Sequence, residues 1–180
     1  MKRNTFLRKA TGLAALPVLG QSASVLPDID RIRQELLDAW QASEKMTLAI
    51  VGQMPDEMFM FKYTPEAMTF TEQWRHCCQF TVGQMQASFG MPNLYAEQKL
   101  PKAMTKEQVM SELPRMYAYV RKTIETAPAE KLVADLKFGD HKIPGWRLLY
   151  AMENHIIHHR GQCVVYLRLN GITPQGYLGW

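Results

Sequence analysis

The ten residues ENHIIHHRGQ, Glu153 to Gln162, hold three of the five histidines in the chain. His155 and His159 are four residues apart, which on a helix puts both imidazoles on one face, one turn apart. A helix offers two ligands to a single zinc-like ion in this way. His158 points about 100° away from His159, so it reads as a neighbour rather than a ligand. The same spacing occurs in the H-E-x-x-H of metalloproteases, where the Glu after the first His is the general base. Here that position is Ile156, and the protease reading loses its base. Two imidazoles alone make a poor site, and His76, in the middle of a separate helical stretch, is the natural third ligand. Glu72 lies one turn before His76 on the same face. It could accept from a ligand's N–H, serve as a fourth ligand or move protons.

Other polar residues around the cluster have their own readings. Gln162 comes back to the His155 side and could orient water or substrate. Glu72 and Gln162 are therefore the candidate catalytic residues, beside His76, His155 and His159 as metal ligands. Cys163, one turn beyond His159, could be a soft ligand, but a buried thiol acting as a small apolar residue is the commoner case. Arg160 and Arg168 face elsewhere and read as salt-bridge partners for other helices or a second subunit. His141, in Gly139-Asp-His-Lys142, reads as a solvated loop residue. Three neutral imidazoles leave coordination positions for water or substrate, the layout of a catalytic rather than a closed structural site. An ion there would acidify a bound water or bind a substrate thiolate. The leading expectation is a metal-dependent enzyme of hydrolase or transferase type acting on an unknown small molecule. The alternative is a non-catalytic metal- or small-ligand-binding helical bundle.

Four helices must position these residues. Ile29, Ile32, Leu36, Trp40, Ser43, Thr47, Ile50 and Met54 recur at helical spacing, predicting a helix from about Asp28 to Gln53 between Pro27 and Pro55. Thr69-Phe-Thr-Glu72 reads as a capping box opening a second helix that ends at Gly90, with Pro92 beyond. Thr105-Lys-Glu-Gln108 is a second capping box. The helix it opens runs through Val109, Leu113, Met116, Val120 and Ile124 to Ala127, with Pro114 expected to kink it or mark a late start. Residues 132–143 read as a loop with a short irregular or extended piece. The last helix begins near Pro144 and closes at Asn170-Gly171. No segment sustains period-2 alternation, so the fold expected is an all-α bundle.

The basic pI of about 9.0 and net charge of +4 come from the first 24 residues. Lys2, Arg3, Arg8 and Lys9 lie there with no acid, and the remainder carries 17 basic and 17 acidic residues. A balanced domain has no general attraction for phosphates or anionic lipid, so no nucleic-acid partner is expected. Residues 1–24 have a basic start, a short apolar run from Gly12 to Leu19 and then small polar residues, the order of a bacterial export signal. The run is too short to span a bilayer, which takes about 20 apolar residues. Arg3-Asn-Thr-Phe-Leu-Arg8 is similar to a twin-arginine signal with Asn4 in place of the second Arg. The expectation is export to the periplasm with cleavage between Gly20 and Ser24, leaving a domain from residue 25 to 180. The odd set Cys77, Cys78 and Cys163 is not a disulfide framework. The 12 methionines sit mostly at helical spacing and read as core filling.

HIIHHRGQ (His155–Gln162), followed by YLRLNGITP (Tyr166–Pro174), resembles the C-terminal signature of the DinB family, the DinB/YfiT-like metalloenzymes. TFTEQWRH (Thr69–His76) is similar to that family's helix-2 motif, whose His is a ligand. The resemblance extends from about residue 28 to the C-terminus. It implies a four-helix bundle with a long crossover connection, a homodimer, and a metal site on His76, His155 and His159. The bound ion it implies is zinc, nickel, iron or manganese. Some relatives are transferases or isomerases that use low-molecular-weight thiols; such thiols are cytoplasmic, so the export leader counts against a thiol-transferase role here. No DNA-repair activity follows from the family name.

Overall fold

The computed structural model describes residues 28–178. The expected export leader, residues 1–24, lies outside the described residues. Four long helices carry most of the chain: α1 (Ile29–Gln53), α2 (Phe70–Phe89), α3 (Lys106–Thr126) and, after a short α4 (Ala129–Val133) and two strands, α5 (Gly145–Leu169). Each begins where the local chemistry favours it. The Asp28 side chain accepts from the Arg31 N–H at 3.1 Å. Both capping boxes form, on Thr69 with Glu72 and on Thr105 with Gln108, satisfying otherwise orphaned first-turn donors. Gly90 stops α2 with φ at 74°, a left-handed conformation costly for any residue with a Cβ.

Helices α1 and α2 each pack against both α3 and α5. The four therefore form a bundle in which α1 lies diagonally across from α2, and α3 from α5. Both diagonals are joined by long connections, residues 54–69 and residues 127–144. The core runs down the middle. Trp40, Phe70, Trp74, Tyr117 and Tyr166 are fully buried there, and Trp40 meets Tyr117 edge-on with centroids 5.7 Å apart. The three cysteines are buried and free. Among the described residues no helix is long and apolar enough to cross a membrane.

One local expectation changes and another is sharpened. Pro114 does not mark a late start, because α3 starts on its capping box and runs through the proline to Thr126. The piece expected to be irregular or extended is extended, and it pairs as an antiparallel hairpin, β1 (Asp135–Phe138) with β2 (His141–Pro144), in which Leu136 faces Ile143. His141 thus opens a strand rather than sitting in a loop, and it is exposed. The hairpin leads into α5 at Gly145, whose N–H donates to Ala134 O at 3.0 Å. A Cβ there would lie 2.2 Å from Lys131 O, so only glycine admits this close approach.

Candidate metal centre

Helix α2 supplies His76 and helix α5 supplies His155 and His159, on the faces the two helices turn toward each other. The His155 Nε2 lies 3.1 Å from the Nε2 of His76 and 3.1 Å from the Nε2 of His159. All three ligand atoms fall within 4.8 Å of one another. An ion roughly 2.0–2.1 Å from each nitrogen would hold tetrahedral ligands about 3.3 Å apart, so the spacing fits a first-row metal. Phe80 forms an apolar wall, stacked on His76 with centroids 5.6 Å apart and 4.6 Å from His155.

The electrostatics favour neutral rings. Burial lowers the pKa of His76. Burial, then the neighbouring imidazoles, lowers His155 and His159 to about 4. At neutral pH the three rings are therefore uncharged and their lone pairs are available. They cannot satisfy one another. His155 Nε2 has one proton at most to share between two close nitrogens, and its Nδ1 is buried without a partner. A cation at the centre resolves this crowding of acceptors.

The tautomer of His159 is fixed by a chain of hydrogen bonds. The Tyr166 hydroxyl donates to Met68 O at 2.6 Å. Its oxygen can then accept from the Gln73 amide N–H at 3.3 Å, while the same amide donates to Gln162 Oε1 at 3.0 Å. With its nitrogen so committed, Gln73 turns its Oε1 to the Nδ1 of His159. The Nδ1 carries the proton and donates it to that oxygen, which leaves Nε2 bare and aimed at the cluster.

The remaining expected residues fall as follows. Glu72 is not part of the cluster. Its carboxylate accepts from the Thr69 N–H at 2.7 Å and the Thr69 hydroxyl at 2.9 Å, bonds that lower its pKa. It does share a surface groove with His76. Gln162 is engaged at both ends, accepting from Gln73 and donating to the exposed His158 at 2.8 Å. Cys163 is buried outside the cluster, and burial pushes its thiol pKa well up. Arg160 is not the salt-bridge partner expected; it is buried and donates to Ser43 O, Ser43 Oγ and Thr47 Oγ1 at 3.1–3.2 Å. Gln73 and Phe80 are the residues sequence reasoning missed. Gln73 lies three before His76, a spacing that shares its helical face, and that was the available signal.

The DinB family model matches residues 25–178, nearly the whole chain, and the protein belongs to the DinB family. Two solved structures share its fold. A DinB-like protein from Bacillus subtilis aligns with a TM-score of 0.63 at 17% identity, covering 79% of this chain and 97% of that one. A DinB-like protein from Bacillus cereus ATCC 10987 aligns with a TM-score of 0.67 at 18% identity, covering 79% and 95%. No curated protein matches the sequence.

Proposed function

We propose that this DinB-family chain is an exported metal-dependent enzyme of hydrolase or transferase type, with His76, His155 and His159 holding one divalent ion. The observation that carries the reading is the convergence of three neutral imidazoles, one with its tautomer fixed by Gln73. Zinc, nickel, iron and manganese remain the candidate ions, and the bound ion would supply Lewis acidity at its open positions. The chain's own residues hold and orient the ligands. Gln73 keeps the His159 proton on Nδ1, Gln162 and Tyr166 hold Gln73, and Phe80 walls one side of the cluster against His76 and His155. Gln162 therefore acts as a positioning residue, through Gln73. Residues 1–24 direct export. Ile157, Val165 and Leu169 form an exposed apolar line along α5, which supports a homodimer.

One observation favours the second reading, a non-catalytic metal- or ligand-binding bundle. Glu72, the carboxylate one turn before His76, is tied into a helix cap rather than free to act as a base. The test is a screen of the metal-loaded protein for ester hydrolysis and thiol transfer, beside metal-stripped protein and His159→Ala. Turnover that needs both the ion and His159 supports the enzyme. Full metal loading with no turnover in either screen favours the binding module.

A further inference from the structure

The groove beside His76 has an open cation. Residues Glu72, Arg75, His76 and Gln79 form one face of α2, and Lys62 with residues 65–68 forms the other wall of a groove of about 410 Å3. That wall is anchored on α5. Tyr166 donates to Met68 O, and Tyr63 meets the Tyr166 ring edge-on with centroids 5.4 Å apart. Among the described residues the Arg75 guanidinium makes no ion pair, and its Nε is buried with no hydrogen-bond partner. A guanidinium that lines a groove and makes no ion pair within the protein is a place where an anionic ligand group belongs.

The carboxylates nearby do not fill that role. Glu72, three residues before Arg75 and well placed to pair with it, is held by the Thr69 N–H and hydroxyl instead. Glu66 is exposed and forms no ion pair with Arg75. Lys62, the other cation of the groove, donates to Pro65 O at 2.7 Å and lends positive charge. The capping box thus leaves the guanidinium without a direct ion pair one residue from a metal ligand, with the Glu72 carboxylate near enough for Lys62 and Arg75 to add to the Thr69 hydrogen bonds in lowering its pKa. A guanidinium presents a planar fork that matches carboxylate or phosphate oxygens two at a time.

We infer that the groove binds a small molecule through an oxyanion, a carboxylate or a phosphate held by Arg75, so that the rest of the molecule reaches the three-histidine centre. This rests on the metal-site reading above and adds the substrate class to it.

The test titrates succinate, its neutral diamide succinamide and phenyl phosphate into the nickel-loaded full chain by calorimetry. Arg75→Gln and Arg75→Lys are run beside the wild type, and metal content is measured on every sample. At least one anion is expected to bind at least about tenfold more tightly than the diamide. Arg75→Gln should lose about tenfold of that affinity with its metal retained, and Arg75→Lys should recover part of it. Tighter succinate assigns a carboxylate, and tighter phenyl phosphate a phosphate. Equal anion affinity in the wild type and both variants, with metal fully bound, overturns the inference and leaves the metal site standing. No metal in the wild type overturns the metal-site reading, and the inference falls with it. Should Arg75→Gln fail to fold, unchanged affinity in Arg75→Lys overturns the need for a guanidinium fork.

Discussion

His159 and Arg160 are consecutive, nearly equally buried, and end in opposite situations. Arg160 faces α1, where the Ser43 carbonyl and hydroxyl and the Thr47 hydroxyl take its N–H groups, and Tyr117 completes the set at 2.9 Å from Thr47 and 3.3 Å from Ser43. Glu153, buried on the same side, has its pKa raised by burial, with Ser43 and Arg160 pulling against the rise. His159 faces α2, where three imidazole nitrogens converge and at most one proton, on His155 Nε2, is available to be shared between its two neighbours. Buried polar groups in proteins are almost always satisfied. A closed network is explained by folding alone; an open one, beside a residue that fixes a tautomer, points to something the site is built to hold.

Variants on either side of α5 should separate the two networks. The largest effect is expected for His159→Ala, which should abolish the rise in melting temperature that added zinc or nickel gives the wild type, measured by calorimetry. Gln73→Leu leaves all three ligands but frees the His159 tautomer, and should weaken metal binding roughly 10–100-fold in a chelator competition. On the other face, Arg160→Met should cost about 2 kcal/mol in urea denaturation, because charged hydrogen bonds are lost, while metal affinity stays at the wild-type value. A loss of metal in Arg160→Met would show that the two networks are one.

Acidity separates the faces as well. In the metal-free protein His155 and His159 have folded pKa values of about 4, below the 6.5 of an ordinary histidine. The unfolded chain therefore takes up protons first as pH falls. Stability is full above about 6.5 and declines as pH drops toward 4. Metal-free protein is expected to lose melting temperature across that window, and replacing His155 and His159 by Gln should flatten the decline. The smallest effect is expected for Thr69→Ala, which removes the cap that opens α2 and should cost about 1 kcal/mol by denaturant melting.

Much of this arrangement was legible in the sequence, because helices announce their ends through short-range chemistry. The Thr69 and Thr105 boxes and Gly90 each mark a boundary within one turn, and the i, i+4 histidines need only the helix to be aligned. The extended piece before α5 was legible, but its pairing into a hairpin was not, because two four-residue strands are too short to establish alternation and lie mostly on the surface. The role of Glu72 was open to a better reading. The residue that completes a capping box has its carboxylate spoken for, and that box was itself visible. With Glu72 committed, the next polar residue on that face is Gln73, whose orientation depends on Tyr166 and Gln162, more than 85 residues away. No local pattern carries that information. The same holds for Arg160, whose partners on α1 are set by packing rather than by charge.

The most direct measurement is metal content by mass spectrometry on protein purified without chelator or a histidine-rich tag, for the wild type and for His76→Ala, His155→Ala and His159→Ala. The account predicts about one first-row metal per wild-type chain and its loss in each variant, as expected when three ligands hold one ion. Wild-type protein that stays metal-free even after incubation with zinc or nickel would contradict it, and would leave the histidine cluster as a feature of helix packing alone.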